Sequence, residues 1–101
     1  MHINLYNEYG YLSGWVDQRS CIIMSLKIYP EHLNQGHAIN LIKEFLLEVR
    51  QLGAVHVELE DCSDHYRSDH NIYLKCGFQY KGSDCTMYAN IRNSLHAIQS
   101  I

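Results

Sequence analysis

Between residues 21 and 60 the hydrophobic period changes twice, and this restricts the fold more than any other feature of the chain. "CIIMSLKIY" at 21–29 alternates, which predicts a strand with Ile22, Met24, Leu26 and Ile28 on one face. Pro30 cannot donate to a ladder and stops that strand. From Gly36 the spacing turns helical through Ala38, Ile42, Phe45, Val49 and Leu52, and Gly53 stands where a helix C-cap glycine belongs. "AVHVELE" at 54–60 alternates again, with Val55, Val57 and Leu59 inward. Strand, helix, strand at this length is a βαβ crossover, so the two strands are expected to be parallel.

The remaining segments predict antiparallel structure around that unit. "HINLY" at 2–6 and "YGYLSGWV" at 9–16 form a meander with 21–29. Asp61 or Ser63 can cap a second helix through about residue 75, ended by Gly77. "FQYKG" and "CTMYANI", joined through Ser83-Asp84, form a closing hairpin. The expected class is a mixed α/β (α+β) sheet: meander, crossover, second helix, hairpin. Residues 1–90 make the domain and 91–101 an amphipathic tail helix, whose stripe of Ile91, Leu95 and Ile98 packs on the domain or on a partner subunit.

Ile3, Leu5, Leu12 and Val16 join the inward residues above on one apolar side of the sheet. The reverse side carries Tyr9, Tyr11, Trp15, Lys27, Tyr29, His56, Glu58 and Glu60. It is either a solvated face or one met by a substrate or a second subunit, since strands buried on both faces read as continuous apolar runs.

Composition narrows the function classes. At 101 residues the chain is one domain, and a net charge of −3 argues against nucleic acid as a partner through bulk electrostatics. No apolar run reaches membrane-spanning length and the N-terminus lacks a signal-peptide pattern, so neither a membrane nor export is expected. The four cysteines form no CxxC pair and read as reduced thiols in a cytoplasmic compartment. Asp61, His65 and Asp69 are spaced by four, but no fourth ligand closes the set, so no metal site is expected.

"HLNQGHAIN" at 32–40 carries the main functional question. A loop entering a helix presents unpaired N–H groups and a partial positive charge, which suit a pyrophosphate. Gly36 allows close backbone approach, Ala38 keeps the first turn uncrowded, and Asn34 and His37 can add donors. The same glycine also fits a plain strand-to-helix turn.

In their order and local motifs these pieces resemble the GNAT family of N-acetyltransferases. "KIYPEHLNQGHAINLI" is similar to the family's strand–loop–helix motif, whose loop reads R/Q-x-x-G-x-G/A. "NIYLKCGF" is similar to its Y-x-x-x-G-F motif, and "GYLSGWV" to its Gly-flanked central strand. The likeness runs from about residue 3 to residue 90. Leu33 stands where the family has Arg or Gln, which removes about 1–3 kcal/mol of charge-assisted bonding. Tyr66 and Asp69 occupy the places of the family's N-x-x-A, and the N-terminal strand and two helices that build its acceptor site are missing.

The resemblance implies acetyl-CoA as co-substrate and an amine acceptor, such as a protein lysine. It implies pairing of the pantetheine with the strand end at Leu26, Lys27 and Ile28, and a pyrophosphate loop of Leu33, Asn34, Gln35, Gly36, His37 and Ala38. Asn71, which opens "NIYLKCGF", joins the cofactor set. Tyr73 matches the family tyrosine that protonates the leaving thiolate. Glu58 and Glu60, with His56 behind them, are the expected bases for the attacking amine. A reduced domain of this kind suits a phage or virus acting in its host's cytoplasm, and a homodimer would fill the missing acceptor wall. Leu33 and the open aromatic face also fit a second reading, an inactive GNAT-derived CoA-binding or protein-interaction module.

Overall fold

The computed structural model of the protein describes residues 1–61 and 71–101. Six strands form one mixed sheet in the order β1-β2-β3-β4-β6-β5. β1 (His2–Asn7) and β2 (Gly10–Asp17) are antiparallel, closed by the Asn7 side chain, which accepts from the N–H groups of Tyr9 at 2.8 Å and Gly10 at 3.1 Å. β3 (Ser20–Ile28) continues the meander and ends at a 3-10 turn opened by Pro30, as its missing N–H requires.

α1 (His37–Gln51) then crosses to β4 (His56–Glu60), which pairs parallel with β3, so the expected crossover is present. α1 buries Leu41, Ile42, Phe45, Leu46 and Val49 on the sheet, one continuous helical stripe. α2 (Ile72–Lys75) leads through Gly77 into β5 (Gln79–Tyr80), and β6 (Thr86–Asn90) pairs with β5 and β4. α3 (Ile91–Gln99) lies beside α1, burying Ile91, Leu95 and Ile98, so the tail stripe packs on the domain itself. The helix expected to start at Asp61 or Ser63 falls on 62–70, outside the described residues, as do His65 and Asp69. Asn71 caps the part that is described, accepting from the Tyr73 N–H.

Two expectations are corrected. Ile22 and Met24 do not share the buried face with Leu26 and Ile28: Cys21 and Ile23 are buried, while Ile22 and Met24 are exposed. The cause is a bulge. Ser13 faces Ser25 but Gly14 faces Ile23, so Met24 has no residue opposite and the side-chain phase of β3 inverts there. The second correction concerns the cysteines. Cys21 and Cys76 are free and buried, but Cys85 is disulfide-bonded, so the thiols are not all reduced.

Gly14 sits at the bulge for a packing reason. A Cβ there would lie 2.5 Å from the Phe45 ring and 2.7 Å from the Ile22 carbonyl oxygen. Only glycine lets α1 close onto β2 at that point.

Candidate functional site

The parallel ladder between β3 and β4 runs only from Ser20↔His56 to Ile23↔Leu59. It stops at the bulge. Beyond it, β3 continues to Ile28, and among the described residues no strand pairs with it on the β4 side. The two strands part there around a cavity of about 560 Å³.

Leu26 and Ile28 of β3 form one wall of that cavity, and the segment from His32 to Ile39 forms a second. Asp61, just past β4, and Asn71, Tyr73 and Lys75 of the α2 segment close the third. Of the expected cofactor set, Leu26, Ile28, Leu33, Asn34, Gly36, His37, Ala38 and Asn71 line this one space. Lys27 is exposed on the other face of β3, and Gln35 does not line the cavity, although its Oε1 lies 3.3 Å from His37 Nε2.

The loop reaches this wall through two left-handed residues, Asn34 at φ 62° and Gly36 at φ 85°. A Cβ on Gly36 would meet nothing within 4 Å, so its backbone angle, not crowding, is what selects glycine. Gly36 is also the N-cap of α1 and offers no side-chain acceptor, and the first turn carries no acidic residue. The start of a fifteen-residue helix therefore lines the cavity, and no side chain caps its opening N–H groups. Tyr9 stacks on His37 at 3.6 Å and 10°, and meets His32 edge-on at 5.0 Å, which fixes the loop against the start of β2.

Across the cavity, burial pushes the Tyr73 hydroxyl above the ordinary tyrosine value, with further push from the Asp61 carboxylate and the Cys76 thiol. Tyr73 thus stays a phenol at neutral pH and still carries its proton there. Asn71, 2% exposed, ties the wall together: Oδ1 accepts from the Tyr73 N–H at 2.8 Å and Nδ2 donates to Asp61 Oδ2 at 3.4 Å. The Tyr73 ring also stands edge-on to Phe78, at 5.8 Å and 61°.

Glu58 and Glu60 lie elsewhere. Glu58 forms an ion pair with Lys81 at 2.7 Å and lines a separate hollow with Tyr80, Gly82 and Tyr88, while Glu60 is exposed and outside both spaces. Among the described residues the carboxylate that lines the cavity is Asp61, which the alternation of β4 could not single out because it stands one residue past the strand. His32 and Lys75 were missed as lining residues for a similar reason. A turn residue and an exposed lysine carry no periodic signal.

No protein-family model and no curated protein matches the sequence. Solved structures do match in fold. The PaiA N-acetyltransferase of Thermoplasma acidophilum, solved with coenzyme A, aligns over 81% of this chain and 53% of its own at 19% identity and a TM-score of 0.67. Tetrahymena GCN5 aligns over 89% and 67% at 11% identity, TM-score 0.69. The anti-CRISPR protein AcrVA5 aligns over 88% of this chain and 98% of its own at 16% identity, TM-score 0.70. This chain thus spans about half to two thirds of the first two and nearly the full length of the third. With a meander, a bulged third strand, a crossover helix and a splayed parallel pair, the protein has the GNAT acetyltransferase fold.

Proposed function

We propose that this protein is an acetyl-CoA-dependent N-acetyltransferase acting on a protein amine, with the acceptor and acetyl-CoA bound together. One observation carries the reading: the uncapped start of α1 and the half-buried phenol of Tyr73 line the same cavity, beside a strand edge that no described strand pairs with beyond the bulge. The residues fit the cofactor. The α1 N–H groups suit its pyrophosphate, and the β4-side edge of Met24–Ile28, unpaired among the described residues, suits an extended amide-bearing arm.

Acetyl-CoA supplies a thioester, whose carbonyl carbon forms a C–N bond to the amine as its C–S bond breaks. Tyr73 holds the proton that the departing sulfur takes up. Asp61 accepts the proton that the amine nitrogen loses, directly or through one water, and Asn71 ties the Asp61 carboxylate to the Tyr73 backbone N–H. Asp61 replaces Glu58 and Glu60 in this role because it lines the cavity and they do not. A polypeptide acceptor is favoured by the exposed Trp15 and Ile22 on the adjacent strands β2 and β3, with Met24 on β3 and Tyr88 on β6 also exposed.

Calorimetric titration of acetyl-CoA and CoA into wild type and Gly36→Asp tests the reading. Wild type is expected to bind both, and the new carboxylate at the helix start to weaken both at least tenfold. No binding by wild type would overturn it, and undiminished binding by Gly36→Asp would move the pyrophosphate away from this loop.

A further inference from the structure

A second polar space lies at the far end of α1. The helix is fifteen residues long, so about 20 Å separates this space from the cavity above. Its volume is about 580 Å³, it shares no lining residue with the first, and its polar lining is Arg50, Asn90, Arg92, Asn93, His96 and Gln99. Every one of these side chains can donate, and no Asp or Glu among the described residues lines it.

The surrounding backbone adds to that charge. Val55 and His56 both donate to the Arg19 carbonyl, at 2.7 and 3.1 Å, and Ile91 donates to Val55 at 2.9 Å. These bonds bring the β2–β3 turn, the start of β4 and the start of α3 to one end of the molecule. Arg50 and Arg92 line the cleft, and the backbone of Arg19 lies on the adjoining turn. No ion pair holds any of them among the described residues. Asp17 and Glu48 lie on the adjoining elements, and neither lines the cleft.

One of these arginines works against its own helix. Arg92 stands in the first turn of α3, where the helix dipole disfavours a cation, and no acidic residue offsets it there. Arg50, by contrast, is in the last turn of α1, where a cation is ordinary. A local choice that opposes helix stability, made in a cleft of converging donors, is the pattern of a functional site.

We infer that this cleft binds the phosphate groups of a nucleotide or of a nucleic-acid backbone. Guanidinium forks match phosphate oxygens in pairs, and the Asn and Gln amides supply further donors for the rest. The chain's overall charge of −3 does not oppose this, because Arg50 and Arg92 line the cleft and no described Asp or Glu does. The inference is independent of the acetyl-transfer reading.

Fluorescence anisotropy with a labelled single-stranded RNA of about 20 nucleotides tests it, with ATP, inorganic phosphate and a poly-glutamate peptide as competitors. Wild type is expected to bind the RNA, losing about tenfold or more in affinity between about 50 and 200 mM salt. Arg50→Gln/Arg92→Gln should weaken RNA binding at least tenfold, while melting temperature and acetyl-CoA affinity stay unchanged. Arg19→Gln should weaken it less. If ATP displaces the RNA at equal phosphate concentration, the source is a free nucleotide; if only unlabelled RNA does, it is a backbone. Absence of binding to RNA, ATP and phosphate alike would overturn the inference. So would binding that the double variant leaves intact, or poly-glutamate competing as well as RNA.

Discussion

The hydroxyl of Tyr73 is a group whose chemistry the fold alters strongly. Burial is the main cause of its raised pKa, and the nearby Asp61 carboxylate adds to it. A phenol held in this way keeps its proton beyond the ordinary tyrosine range. The pH profile of acetyl transfer should therefore show no falling limb from this group below about pH 10. Tyr73→Phe should lower kcat about a hundredfold while leaving CoA affinity within about twofold, since general-acid help is worth about 10²–10⁴. A loss of affinity as large as the loss of rate would instead make Tyr73 a packing residue. The same burial acts on two thiols. Cys21 is pushed up to about 12 and Cys76 to about 11, so both remain protonated near neutrality. Native protein at pH 8 should resist iodoacetamide at both positions and be alkylated there only after unfolding, as read by mass spectrometry.

Among the elements, β3 decides the geometry of the site. Its bulge at Met24 inverts the strand's phase just where parallel pairing with β4 ends, and the gap that follows becomes the cavity. Gly14, opposite the bulge, is fitted to the Phe45 ring of α1. Gly14→Ala should destabilise the protein by about 1–3 kcal/mol, seen as a lower urea midpoint, because overpacked cores respond on that scale. Phe45→Leu in the same chain should recover part of the loss, and a fully additive double variant would contradict the contact. This strand also marks the limit of what the sequence makes legible. The crossover was readable because Pro30, Gly36 and Gly53 bracket a period change that few other folds allow. The bulge was not. "CIIMSLKIY" carries apolar residues at 22, 24, 26 and 28 and also at 21 and 23, so unbroken alternation is the simpler pattern. The phase reversal is imposed by β2, whose inward residues Gly10, Leu12, Gly14 and Val16 keep step throughout. For the site, residues inside local motifs were readable: the loop around Gly36, and Tyr73. Asp61 was not, because it enters the cavity through the parting of β3 and β4, a property of two strands far apart in sequence.

At the scale of the whole molecule, α3 braces the wall that carries Tyr73. Ser94, fully buried on α3, donates through Oγ to the Cys76 carbonyl at 2.6 Å, at the end of α2. A Cβ on Gly77 would come within 3.1 Å of the Ala97 Cβ, so helix and turn are also in tight contact. Between Tyr73 and that turn the backbone is continuous: Cys76 and Phe78 both donate to the Tyr73 carbonyl, at 3.1 and 3.0 Å. Any movement of α3 is therefore passed to the phenol through three residues of chain. Ser94→Ala removes the donor and leaves a carbonyl in the interior without that partner, a change that costs about 1–3 kcal/mol. A merely structural bond would lower the melting temperature and nothing else. A positioning bond would also separate the kinetic constants, with kcat falling severalfold and KM for acetyl-CoA unchanged, because the pyrophosphate loop sits on the opposite wall. The measurement is steady-state acetyl transfer well below the variant's melting point, beside a thermal melt. A lowered melt with kcat intact would confine α3 to stability. A lowered kcat at constant KM would make the C-terminal helix part of the catalytic apparatus, acting through the turn that ends in Phe78.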